Sequence, residues 1–315
     1  MHVMDGHCDA ISKLLNNPKA DFNNSTFMDV TLPRLQAGCV KLQSFAIFVA
    51  NSGIGDQLLP NFQQILMSID LYERHIIANP HMTPIRNQSD LIHLLEGSHI
   101  GAFLTLEGVD GLDGNLLYLR MLYQLGVRSV GLTWNNANWA ADGVGEPRGG
   151  GLTVMGKKLV QKCEKLGILV DVSHLSEAGF WDVAAIAQKP FYASHSNAFD
   201  ICQHPRNLKN EQIAEIIRVG GRIGLTFVPY FVSSKQTVAI VDLLKHIDHV
   251  CESGGSGHLI FGSDFDGIDQ WIVGLEHPGQ YANLQEILLK HYKQADVENW
   301  LFNNWYQFLF DNLKV

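Results

Sequence analysis

The chain has 315 residues, 46% of them hydrophobic, which is enough apolar material to bury one large core. Its formal charge of -9, with Lys and Arg scattered rather than clustered, argues against a nucleic-acid footprint and against a polybasic membrane patch. Small molecules or peptides are therefore the expected partners.

Strand-like and helical patterns alternate along the chain. The first strand is predicted at His2 to Asp9, followed by an irregular stretch from Asn16 to Ala37, a strand at Val40 to Val49 and a helix at Leu59 to Ala78. Next come a strand at Ile100 to Glu107, a helix at Leu116 to Leu125 and a strand at Val127 to Trp134. The glycine-rich stretch Trp139 to Gly151 is irregular, and loops of that kind after a barrel strand carry substrate contacts. A helix at Thr153 to Leu166 ends at the C-cap Gly167, before a strand at Ile168 to His174. Ser176 is the expected N-cap of a helix at Glu177 to Ala187. The remaining pattern is a strand at Phe191 to His195, a helix at Glu211 to Val219, the stop signal Gly220-Gly221, a strand at Arg222 to Val228, a helix at Val238 to Cys251 and a strand at His258 to Asp264. Two closing helices, Leu284 to Lys290 and Asp296 to Asn312, complete the chain. Eight strands interleaved with helices favour an α/β fold of the (β/α)8, TIM-like barrel type, expected to form a single domain over residues 1–315. No GxGxxG follows the first strand, which weakens a dinucleotide-binding alternative.

The cysteines Cys8, Cys39, Cys163, Cys202 and Cys251 are widely spaced, with no Cys-x-x-Cys pair, and read as reduced and mostly buried. Met1 leads directly into VMDGHCD and no apolar run reaches about 18 residues, so a soluble cytoplasmic protein with no membrane anchor is expected.

Six acids and histidines fall in or just after predicted strands: His7, Asp9, Glu107, His174, His195 and Asp264. His7 and Asp9, two apart on one strand, point to the same face and can reach one ion, while Cys8 points the other way. Glu107 ends a mostly apolar run, where a carboxylate is costly to bury unless it is paired or coordinated; its bland alternative is a surface acid at the strand's exit. His174 and His195 occupy matching positions on consecutive strands, and neutral imidazole suits zinc-like ions. Five metal-type side chains exceed the three protein ligands of a typical catalytic zinc, so two ions sharing Glu107 fit best. Such a pair would supply hydroxide near neutral pH for an amide hydrolase. Asp264 is assigned the proton shuttle, with Asp266 a supporting or turn acid.

At these residues the sequence resembles the membrane (renal) dipeptidase family of the amidohydrolase superfamily. The matching segments are DGHCD at Asp5 to Asp9, LEGVDGL at Leu106 to Leu112, GLTWN at Gly131 to Asn135, GILVDVSHLSEAGFWDV, YASHSNAFDICQHPRNL and FGSDFDG, which cover most of the chain in one order. The resemblance implies a zinc-dependent dipeptidase with two Zn2+ per chain: His7 and Asp9 on one zinc, Glu107 bridging, His174 and His195 on the other, and Asp264 as catalytic acid and base. It also implies that Arg206, otherwise a loop cation, grips the carboxylate of a dipeptide substrate, and it suggests a homodimer. Two departures stand out. The mammalian enzymes carry a substrate-binding histidine where this chain has Trp134, a residue otherwise read as core or pocket wall. Asn135 beside it offers a hydrogen bond to the substrate in its place. Near the C-terminus Asn303-Asn304-Trp305 replaces a Gly-Asn-Phe, a change expected to affect packing only. Other readings are an amidohydrolase acting on N-acyl amino acids, lactones or cyclic amides, and a catalytically silent binding barrel.

Overall fold

The structure, a computed structural model, describes residues 1–24, 26–49 and 61–314. Leu59 and Pro60, at the start of one predicted helix, lie outside the described residues. The strands are β1 (Val3–Asp5), β2 (Val40–Phe48), β3 (Met82–Pro84), β4 (Ile100–Glu107), β5 (Ser129–Gly131), β6 (Leu169–Asp171), β7 (Ile223–Leu225) and β8 (Leu259–Phe261). They form a parallel sheet in the order β6-β5-β4-β2-β1-β8-β7, with β3 pairing alongside Ile100–Ala102 of β4. The two ends of this path meet through the segment that follows β6: parallel bridges join Tyr192 to Asp171 of β6 and Ala193 to Ile223 of β7. The sheet thus curls into the TIM-like barrel expected from the strand and helix alternation.

Several predicted strands are longer than those observed, and carboxylates explain why. Asp5, the last residue of β1, accepts the amides of His7 (3.2 Å) and Ser263 (2.9 Å) through Oδ1, and the hydroxyls of Ser263 (2.6 Å) and Tyr281 (2.8 Å) through Oδ2. Asp171, the last residue of β6, accepts the amides of Ser173 (3.0 Å) and Ser194 (2.9 Å). These amides bond to side chains instead of continuing the ladder, which ends the regular strands there. Phe191 to His195, predicted as a full strand, is consequently reduced to two bridges.

The helices follow local signals. Ser176 caps Glu177–Ile186 by accepting the Gly179 amide at 3.0 Å, and Thr153 does the same for Val154–Leu166 through Gly156. Gly167 ends the latter helix at φ +83°, a left-handed turn that glycine adopts without strain. Helices absent from the sequence reading include Ala10–Asn16, which begins directly after Asp9, Leu32–Ala37, within the stretch read as irregular, and Gln88–Glu96, started by a reciprocal Asn87–Asp90 capping box. The predicted helix Asp296 to Asn312 is present but passes through a π-helical turn at Asn299–Asn303. All five cysteines are unpaired, yet only Cys8 and Cys163 are buried; Cys39 is exposed in the turn before β2.

Residues two apart on a strand share a face, so each strand lays a column of side chains along the barrel interior. On β4 the column is Phe103, Thr105 and Glu107; on β8 and its continuation it is Ile260, Gly262 and Asp264. At the end where the strands begin, Met4, Leu42, Phe103, Leu169, Tyr192 and Ile260 form one apolar cluster with Trp305, Phe308 and Leu309 of the final helix. Trp305 is fully buried, with its ring 5.1 Å from Tyr192 and 6.2 Å from Phe103. The opposite end, where the strands finish, is polar. Among the described residues no helix is long and apolar enough to cross a membrane.

Candidate metal centre

The six acids and histidines converge at the polar end of the barrel. His7 Nε2 lies 3.4 Å from Asp9 Oδ2, 3.5 Å from Glu107 Oε2 and 3.8 Å from Asp264 Oδ1. The other oxygen of Glu107 is 2.8 Å from His174 Nε2 and 3.6 Å from His195 Nε2, and those two nitrogens are 2.8 Å apart. Three groupings could each hold an ion: His7, Asp9 and Glu107; Glu107, His174 and His195; and His7, His195 and Asp264.

The donor set fits divalent cations. His7 Nε2 is buried without a hydrogen-bond partner among the described residues, although three carboxylates surround it. A lone pair facing carboxylate oxygens is repelled unless a proton or a cation lies between them. Burial disfavours a charged His7, but Glu107 and Asp9 outweigh it and hold its pKa well above the usual histidine value. Glu107 shows the complementary shift: burial opposes ionisation, while the adjacent His7 charge brings it well below the usual range. Burial, aided by the Arg206 charge, pushes His174 down to about 4, so this imidazole is neutral and available as a ligand.

The outer nitrogens of the two imidazoles are anchored. His174 Nδ1–H donates to Asn135 Oδ1 at 2.8 Å, leaving Nε2 with its lone pair toward Glu107, and His195 Nδ1 pairs with Ser194 Oγ at 2.6 Å. Backbone conformation contributes as well. His174 (φ +68°), Asp264 (φ +66°) and Asp266 (φ +69°) all adopt the left-handed region that costs a non-glycine residue energy, a feature that concentrates at functional sites. A Cβ at Gly267 would collide with Asp9 Oδ2 and Asp264 Oδ1, so a side chain there would displace these two carboxylates.

Sequence reasoning did not single out Asp5 and Asp171. Each is a buried carboxylate closing a strand two residues before a hydrogen-bonded amide, and together they fix the backbones that carry His7, Asp264, His174 and His195. The signal was present in the apolar runs ending in Asp, VMD and LVD. Asp266 joins none of these groupings: its oxygens accept the amides of Asp29 (2.7 Å) and Val30 (3.0 Å), and burial with Asp29 nearby pushes its pKa up to about 7.

A cavity of about 370 Å3 opens above the cluster, lined by Asp9, Glu107, His174 and Asp264 below and by Phe48, Trp134, Tyr230 and Ile268 around it. Trp134 is 41% exposed and packs 5.5 Å from Phe48, so it forms a wall of this cavity. Asn135 reaches the cavity too, but its side-chain oxygen is taken by His174, leaving only its amide NH2 for anything bound there. Arg206, 5% exposed, also faces the cavity. It donates to Ser196 Oγ (3.3 Å) and to the carbonyl of His195 (3.2 Å), and its buried Nε has no partner among the described residues. Burial pushes the pKa of Asp264 well above the usual carboxylate range, and neighbouring Asp9 and Glu107 add to that shift against His7 and Arg206.

Known proteins share this fold. The family model of the membrane dipeptidases (Peptidase family M19) matches residues 1–310. A crystal structure of a dipeptidase, a metallopeptidase of family M19, superposes with a TM-score of 0.91 at 27% identity, covering 100% of this chain and 99% of that one. A metallopeptidase from Rhodobacter sphaeroides, liganded with a phosphinate mimic of the dipeptide L-Ala-D-Ala, gives a TM-score of 0.89 at 26% identity, covering 99% of each chain. The dipeptidase aclJ of Aspergillus oryzae is 30% identical over 281 residues, 85% of this chain and 66% of that protein. Family membership implies a divalent metal, which the buried histidines and carboxylates are suited to hold. The chain belongs to the membrane dipeptidase family of metallopeptidases, peptidase family M19.

Proposed function

We propose that this chain hydrolyses dipeptides at a centre of two zinc ions, with residues 1–315 acting as one catalytic unit. The observation that carries this reading is Glu107, whose two oxygens face separate nitrogen donors, His7 on one side and His174 with His195 on the other. One ion would be held by His7, Asp9 and Glu107 and the second by Glu107, His174 and His195. A pair of such ions supplies a water acidified toward neutral pH and polarises a carbonyl oxygen.

The chain's own residues perform the rest. Arg206 binds the C-terminal carboxylate of the dipeptide, and its unpaired buried Nε supports this role. The amide NH2 of Asn135 donates to the scissile carbonyl from beside His174. Asp264 accepts the proton of the attacking water and delivers it to the leaving amine, a task suited to a carboxyl whose pKa is raised. Phe48 and Trp134 keep bulk water from the reacting bond. The dipeptide mimic bound to the Rhodobacter relative supports the substrate class.

The test is hydrolysis of Ala-Ala, N-acetyl-alanine and a lactone by protein stripped with chelator and then reloaded with zinc. Turnover of Ala-Ala that is lost on stripping and restored by zinc is expected; cleavage of the acyl amino acid or lactone in its place would overturn the dipeptide assignment.

A further inference from the structure

The cavity above the metal centre carries a second cation that the reaction does not use. Lys13 lies in the helix Ala10–Asn16, one turn after Asp9, and its side chain lines the cavity with Ser12 and Asn16 of the same helix. Among the described residues the Lys13 ammonium makes no hydrogen bond or ion pair. Asp266 is near enough for the Lys13 charge to favour its ionised form, but both of its oxygens are already engaged by the amides of Asp29 and Val30. Ser12 Oγ is buried and has no hydrogen-bond partner among the described residues, an arrangement that costs free energy until something supplies one. Asn16 donates its amide to the Ser12 carbonyl at 2.9 Å, which leaves its side-chain oxygen free of that bond on the same cavity wall.

The position of this helix indicates which part of a substrate it meets. Arg206 stands on the His195 side of Glu107, where it donates to the His195 carbonyl. Lys13 stands on the Asp9 side, because the Ser12 and Lys13 amides both bond to the Asp9 carbonyl, at 2.9 and 3.3 Å. A dipeptide whose C-terminal carboxylate lies on Arg206 and whose peptide carbonyl lies over Glu107 extends its N-terminal residue toward this helix. We propose that Lys13, with Ser12, is a subsite for a carboxylate on the side chain of that N-terminal residue, making dipeptides that begin with Asp or Glu the preferred substrates. This subsite rests on the dipeptidase reading given above. An ammonium facing the cavity attracts a carboxylate and repels a lysine side chain, so the charge acts on both members of the comparison.

The experiment compares kcat/KM for Glu-Ala, Ala-Ala and Lys-Ala using the zinc-loaded full chain, Lys13→Met and Lys13→Glu. Ratios within one protein preparation cancel differences in its folded fraction. The unmodified chain should prefer Glu-Ala over Lys-Ala by about tenfold, Lys13→Met should bring the ratio near one, and Lys13→Glu should invert it. Cleavage of Ala-Ala with no preference for Glu-Ala, or with a ratio that the Lys13 variants leave in place, overturns the subsite while the dipeptidase reading stands. Failure to cleave any of the three dipeptides overturns that reading, and the subsite with it.

Discussion

The two ends of the barrel interior are built on the same strands and carry opposite chemistry. Where the strands begin, Phe103, Leu42 and Ile260 meet Trp305 of the last helix in a dry apolar layer. Where they finish, the same columns present Glu107, Phe48 and Asp264, and neighbouring segments add His7, Asp9, His174 and His195. Burying ionisable groups costs free energy unless they are paired or coordinated, whereas fully burying a large apolar side chain contributes on the order of 2 kcal/mol. The apolar end therefore offsets the polar one. A period of two residues lets one strand serve both ends without either compromising the other.

Substitutions can separate the two ends. The largest expected effect is at Asp264. Asn keeps the shape of the side chain and tolerates the positive φ there, so Asp264→Asn should keep its zinc and lose on the order of 10²–10⁴ in kcat, read by steady-state hydrolysis with metal analysis. Full turnover with the metal retained would remove Asp264 from proton transfer. At the other end, Trp305→Ala should lower unfolding free energy by about 3–5 kcal/mol in urea titrations, with turnover per folded molecule preserved. Trp305→Phe should cost less than about 1.5 kcal/mol, because the indole N–H it removes is buried without a partner among the described residues. If Trp305→Ala folded but lost turnover, the two ends would not be independent.

A smaller effect is expected beside the metal centre. Asn135→Ala removes the acceptor that fixes His174, so zinc affinity in chelator competition should fall about 10–100-fold. An unchanged affinity would mean that His174 is held by packing alone.

The smallest concerns the glycine-rich loop. Arg148 donates to Asp142 at 2.7 Å through Nε, and with the Gly150 amide it keeps the Asp142 carboxyl below the usual range. A depressed folded-state pKa stabilises above the unfolded value and is lost as pH falls through the folded one. Asp142→Asn should thus lose a little stability at pH 7 and lose progressively less relative to the parent as the solution is acidified toward pH 3. A pH-independent difference would show that the carboxylate charge is not what holds the loop.

The barrel was legible in the sequence because its strands are continuous apolar runs, as expected when both faces are covered. The residues at the mouth were legible because charges and histidines interrupt those runs at matching places. What escaped depended on long-range partners. β3 reads Met-Thr-Pro and exists only because β4 offers it an edge. Asp5 and Asp171 look like ordinary strand acids until Ser263 and Ser194 come from distant segments to meet them. The helix Ala10–Asn16 spans two turns, too short to show a period, and Lys13 went unnoticed with it. Trp134, read as either core or pocket wall, needed the position of Phe48 to decide between them.

The most direct test of the two-ion centre is anomalous diffraction at the zinc edge from crystals grown with zinc. Two peaks per chain are predicted, one contacted by His7 and Asp9, the other by His174 and His195, with a Glu107 oxygen on each. A single peak, or a pair that does not share Glu107, would contradict it.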